Sequence, residues 1–174
     1  MRFSPGLLLL LPLLSPLAHA ELIDDVNDRG ELRIALEANT PPYNFKEGDK
    51  LTGFEVELGE LLAKEMDVRS SFITTDDADL LPGVETGKYD VAINHIAMTA
   101  EMKDRFDFSE VYDEKSELAI PFQKGNPAFK TSLNGALKRV KDDGRLKALW
   151  QKWFEDQAPT VAPTPVPPPA TPTH

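Results

Sequence analysis

Apolar residues recur along the chain first at strand spacing and then at helix spacing. Glu31-Leu-Arg-Ile-Ala-Leu-Glu37 alternates polar and apolar positions and runs into Pro41-Pro42, which predicts a strand ending in a loop. After Gly53, the residues Phe54, Leu58, Leu61, Leu62 and Met66 fall on one face of a helix. Ser70–Thr74 reads as a second strand, and Asp79–Glu85 as a short helix with Pro82 near its start and Gly87 as its stop. Tyr89–Ile93 reads as a third strand, Met102–Arg105 as at most one helical turn, and Ser116–Phe122 as a further strand. Phe129, Leu133, Leu137 and Val140 make a helical stripe that breaks at Asp142-Asp143-Gly144. Leu146, Leu149, Trp150, Trp153 and Phe154 make another, with both tryptophans on the packing face. Strands separated by helices predict an α/β fold, a central mixed sheet flanked by helices.

The two ends break this pattern. Residues 1–20, MRFSPGLLLLLPLLSPLAHA, combine a basic start, a short apolar run and a small-x-small site at Ala18-His19-Ala20. They read as a cleavable secretory signal, because the run is too short to span a bilayer. Residues 158–174, APTVAPTPVPPPATPTH, hold seven of the 15 prolines with no aromatic and no acidic or basic residue apart from the final His174. Such a segment cannot bury a core; it reads as an extended spacer or as a docking peptide for an aromatic groove. Residues 21–157 remain, enough for one hydrophobic core. The expected protein is exported to the periplasm, with no membrane span in the mature chain.

Charge and composition narrow the chemistry. The 174 residues carry 19 Lys+Arg against 29 Asp+Glu, and the segment after residue 20 carries a net charge of −11. That argues against nucleic acid, whose binders cluster Lys and Arg. The absence of cysteine rules out disulfides, thiolate metal sites and a thiol nucleophile. No Gly-x-Ser-x-Gly elbow and no Gly-rich phosphate loop occurs. No cofactor, metal or catalytic set is expected, and the chain reads as a non-enzyme.

Several segments, in order, resemble one family. They are Gly30-Glu-Leu-Arg-Ile-Ala, Pro41-Pro-Tyr-Asn-Phe, Leu51-Thr-Gly-Phe-Glu-Val-Glu-Leu, Leu80-Leu-Pro-Gly-Val, Lys88-Tyr-Asp-Val-Ala, Phe106-Asp-Phe-Ser and Lys124-Gly-Asn-Pro, followed by the terminal helical stretch Leu133–Phe154. Together they resemble the bacterial extracellular solute-binding proteins of family 3, the periplasmic amino-acid-binding components of ABC importers. The resemblance implies a type II periplasmic-binding-protein fold of two lobes that close on ligand by hinge motion. Here Ser116–Pro127 runs straight from the family's outgoing crossover into its return. The resemblance therefore implies a single lobe, with the second absent.

Carried over position by position, the resemblance puts the ligand-facing residues at Glu37, Thr40, Tyr43, Asp77, Asn94, His95, Thr99 and Met102. Family amino-acid binders place an Arg three residues after the threonine to grip the α-carboxylate bidentately, which only a guanidinium does well. That position is Met102, and a donor hydroxyl two residues before Thr99 is replaced by Ala97. Thr40 and Asp77 stand where aromatics are expected. A zwitterion's carboxylate would face Glu37, Asp76, Asp77 and Asp79 unpaired, at high cost. Weak binding of a small polar or cationic solute on an open half-site is the expectation, with an ABC permease as possible partner. The alternative is an interaction module that uses the same face for a weak homodimer or another periplasmic protein, around Tyr43, Ile96, Met98 and Met102. His95 is an idle loop-end residue, a pH-sensitive contact, or a metal ligand beside Asp77 and Glu37. The acidic run at Asp76 reads as a helix N-terminus rather than a calcium loop.

Overall fold

A computed structural model describes residues 21–156 together with Arg2, Phe3 and Gly6. The proposed signal segment lies almost wholly outside the described residues, and the proline-rich tail entirely so. The order is α1 (Leu22–Arg29), β1 (Glu31–Leu36), β2 (Asn39–Thr40), β3 (Asn44–Glu47), β4 (Lys50–Thr52), α2 (Phe54–Glu65), β5 (Arg69–Thr74) and α3 (Asp77–Glu85). It continues with β6 (Val91–Ala92), α4 (Ala100–Arg105), β7 (Phe106–Phe108), β8 (Pro121–Gln123), α5 (Pro127–Asp142), α6 (Arg145–Trp150) and a π-helical turn (Gln151–Glu155).

The central sheet has the order β5-β1-β6-β8-β7. β1 pairs parallel with β5 (Ile34 opposite Phe72) and with β6 (Ile34 opposite Val91), whereas β8 runs antiparallel to β6 and β7. This is the expected mixed α/β sheet. The first strand ends at Leu36, and Ile93 and Asn94 follow β6 as irregular backbone. Of the expected strand Ser116–Phe122, the first part makes only isolated bridges from Leu118 to Ala97 and Asp113. Pro82 sits inside α3 rather than at its start, because α3 begins at Asp77, capped by the Asp76 carboxylate accepting from Asp79 N–H at 2.9 Å.

Each face of the sheet is covered by its own core. Leu32, Ile34, Val91, Ile120 and Phe122 pack under α1, α2, α5 and α6, where Phe54, Leu58, Leu62, Phe129, Leu133 and Leu137 are buried. The opposite face buries Ala35, Ala92 and Ala119 with Leu80, Val84, Tyr89, Phe106 and Phe108. Alternation along β1 divides its side chains between the two cores. The final aromatic stripe packs on the larger core, with Trp150 4.2 Å from the Phe54 ring centroid and Phe154 5.7 Å from it.

Two elements escape the sequence pattern. Helix α1 is mostly polar, yet Leu22 and Val26 are buried four residues apart and Gly30 closes it in the left-handed region. Its end is pinned by the buried Asp90, which accepts from Arg29 and, through two oxygens, from Arg33. That carboxylate raises the Arg33 pKa further above its ordinary value. The stretch after Leu36 is not a plain loop but a three-stranded antiparallel ribbon, β2-β3-β4, turning at Gly48.

Candidate functional site

The chain leaves β1 through α2 to reach β5 on one side, then returns through α3 to β6 on the other. The carboxyl ends of β1 and β6 therefore flank a topological switch point, where open α/β sheets bind ligands. Glu37 follows β1 directly, and Asn94 and His95 follow β6 by two and three residues.

A buried polar chain joins these ends. Asn94 Nδ2 donates to Glu37 Oε2 at 2.9 Å, and the Glu37 N–H returns a bond to Asn94 Oδ1 at 3.1 Å. Asn44, fully buried at the start of β3, donates to Asn94 Oδ1 at 3.1 Å and to Glu55 Oε1 at 3.2 Å. Glu55 is also fully buried, in the first turn of α2. Its Oε2 accepts from the His95 N–H at 2.6 Å and from the Tyr112 hydroxyl at 3.3 Å, and its Oε1 lies 2.9 Å from His95 Nδ1. The Tyr43 ring packs over His95 at 4.8 Å between centroids. Burial and the negative charge of Glu55 hold the Tyr112 hydroxyl well above its usual pKa. Burial, then Asp113 and Glu55, raise that of Tyr43.

The backbone at both strand ends is bent to suit this chain. Ala38 has φ 63° and His95 φ 44°, a region that residues other than glycine seldom adopt. Each is held by a bond from its own N–H to a buried side chain, Ala38 to Asn44 Oδ1 at 2.7 Å and His95 to Glu55 Oε2. Gly53 is the third bend: at φ 127° a Cβ would stand 2.4 Å from Tyr43 O, the carbonyl that accepts from Glu55 N–H at 2.8 Å. No residue with a side chain fits there.

The structure thus joins Glu37, Tyr43, Asn94 and His95 in one network, with Thr40 attached through Asn39, which it meets at 2.8 Å. It leaves Asp77, Thr99 and Met102 outside. Asp77 is exposed at the start of α3, and Thr99 caps α4 by accepting from Met102 N–H at 3.2 Å. Met102 packs partly against the smaller core, as do Ile96 and Met98, so the apolar surface expected there is partly internal. His95 is paired with Glu55, not with Asp77 or Glu37. Among the described residues no cluster of three His, Asp or Glu side chains is placed to hold a metal ion. Glu55 and Asn44 are the residues that sequence reasoning missed. The readable signal was Glu55 itself, an acid one turn before Gly59 and three residues before Leu58, on the apolar side of α2.

The model of the bacterial extracellular solute-binding proteins, family 3, matches residues 32–156. The chain belongs to this family. It is 38% identical over 142 residues to the L-cystine-binding protein TcyJ of Escherichia coli K12, covering 80% of this chain and 52% of that protein. The chain thus spans about half the length of that relative. Among solved structures, it is similar to domain 1 from TmArgBP in its arginine-bound form (27% identity, TM-score 0.63, 67% of this chain and 98% of that one). It also matches the fold of the ancestral amino acid-binding protein AncCDT-1, described as a precursor of cyclohexadienyl dehydratase (21% identity, TM-score 0.73, 78% and 100% covered). The curated relative is a binding protein, and this family is extracellular. No helix of the described residues is long and apolar enough to cross a membrane.

Proposed function

We infer that this family member is an exported, non-catalytic binding module of one lobe, which holds a small polar or cationic solute weakly on an open half-site and serves an ABC importer. The observation that carries the reading is the likeness to domain 1 from TmArgBP, a single domain in arginine-bound form that is covered over 98% of its length. It supports the view that a lobe of this architecture, without the other, retains enough contacts for a solute.

The charge of the site favours a cation. Glu37 is half-buried at the mouth, Asp76, Asp77 and Asp79 crowd the start of α3, and Met102 brings no guanidinium. Glu37 spends one oxygen on Asn94 at 2.9 Å and reaches Asn39 only at 3.5 Å with the other, which leaves acceptor capacity for a ligand ammonium or guanidinium. One wall supplies about half the contacts of a closed cleft and no exclusion of water, so affinity belongs in the micromolar to millimolar range, about −8 to −4 kcal/mol.

Calorimetric titration of residues 21–174 with arginine, lysine, cystine, a diamine and glutamate tests this. Saturable heat from a cationic solute and none from glutamate is the expected result. Glutamate binding more tightly than arginine would overturn the charge argument. Absence of heat from every solute, with a defined oligomer on sedimentation, would instead support use of the same face as a contact with a second copy.

A further inference from the structure

Beside the half-site, and sharing Tyr43 with it, lies a second surface feature. Tyr43, Trp150 and Phe154 line a groove of about 480 Å³, rimmed by Asp113, Lys115, Ser116 and Glu155. The rings form a ridge rather than a flat patch: Phe154 meets Trp150 at 4.6 Å and Tyr43 at 5.1 Å between centroids. Trp150 also borders an adjoining groove of about 520 Å³ lined by Tyr112, Leu146 and Lys147. Trp150 is half-buried, whereas Trp153 is only 6% exposed and donates its indole N–H to Glu57.

We propose that this aromatic groove is the docking site of the chain's own proline-rich tail, residues 157–174. Aromatic ridges recognise polyproline segments because proline rings pack on flat faces and the extended backbone is preformed, so little entropy is lost on docking. The tail supplies seven prolines, five of them between Pro163 and Pro169. Its proline nitrogens carry no hydrogen, so the segment presents mainly carbonyl acceptors. The groove answers with donors, the hydroxyls of Tyr43 and Ser116 and the ammonium of Lys115. Residues 157–173 bring no charge against Asp113 or Glu155.

Position favours the tail over any other proline-rich chain. Glu155 lines the groove and the tail starts two residues later. At about 3.1 Å per residue its 18 residues span roughly 55 Å when extended, enough to turn at Gln157–Thr160 and lie along both grooves. A short tether sets an effective concentration of about 1 mM, so a groove with a Kd near 0.1 mM for free peptide is about nine-tenths filled in cis.

The test compares residues 21–174 with the same chain in which Pro163, Pro165, Pro167, Pro168 and Pro169 are all changed to Ser. Acrylamide quenching of tryptophan emission reads Trp150, since Trp153 is buried. The proposal expects quenching about twofold steeper in the serine chain, with amide shifts gathered at Asp113–Ser116 and Glu155. It also expects the difference to persist over about a hundredfold dilution. Equal quenching with unchanged amides would overturn the proposal. A difference that fades on dilution would overturn it too, because the occupant would then be the tail of a second copy.

Discussion

Replacing Glu55 by Gln tests whether the buried network, rather than the sheet alone, holds the strand ends in their site geometry. Each Glu55 oxygen accepts two bonds, Oε1 facing Asn44 Nδ2 and His95 Nδ1, and Oε2 facing the His95 N–H and the Tyr112 hydroxyl. A glutamine keeps one such acceptor. Its amide nitrogen, however placed, meets one obligatory donor, Asn44 Nδ2 or the His95 N–H, whereas His95 Nδ1 and the Tyr112 hydroxyl can turn to accept; the charge is lost in either case. Hydrogen bonds to a charged group contribute about 1.5–3 kcal/mol each, so losing one costs that much, and the others weaken as the charge is lost. Bonds in one network are not additive and the Tyr112 contact is long, so about 3 kcal/mol is the expectation. Domains of this size are stable by about 5–15 kcal/mol, so the variant folds but marginally. With a urea slope of about 1–3 kcal/mol/M, the midpoint should fall by about 1 M or more at unchanged slope. Tyr112→Phe should cost about 1 kcal/mol alone, and less in a chain that already carries Glu55→Gln. A loss below about 1 kcal/mol for Glu55→Gln would refute the network's structural role.

Gly53→Ala should cost at least about 2 kcal/mol, since a Cβ there meets Tyr43 O at 2.4 Å on a backbone at φ 127°; a change within about 0.5 kcal/mol in urea would contradict the close approach. Met102→Arg with Ala97→Thr should raise affinity for a zwitterionic amino acid over a starting value weaker than micromolar, read by calorimetry; no gain would mean the α4 start does not face the ligand. The folded state holds the Tyr112 proton at pH values where the unfolded chain, with tyrosine near 10, has released it. This contribution is therefore complete below about pH 10 and is lost as pH rises above it, so the Tyr112→Phe chain should show a shallower alkaline decline in urea midpoint; parallel declines would refute this.

Much of the architecture was legible because apolar spacing reports burial directly. The stripes Phe54–Met66, Phe129–Val140 and Leu146–Phe154 all pack as read, and β1 and β5 lie within a residue of their expected bounds. Helix α1 was not, since two buried residues among five polar ones and Ile23 carry little periodicity. The ribbon β2-β3-β4 was hidden by strands of two to four residues, too short for alternation to register. At the candidate site, order and spacing of motifs pointed to Glu37, Asn94 and His95, which hang from strand ends that the sheet fixes. They could not find the partners across the network. Asn44 and His95 meet through Glu55 only because Gly53 turns α2 toward them, a contact set by tertiary structure.

The most direct measurement of the central claim is a nitrogen-edited NMR titration of residues 21–174 with arginine. The account predicts fast-exchange shifts confined to Glu37, Ala38, Asn94, His95 and the Asp76–Asp79 turn, saturating in the micromolar to millimolar range and diminished in Glu37→Gln. Shifts located elsewhere on the fold, or no shift at any concentration of a cationic solute, would contradict it.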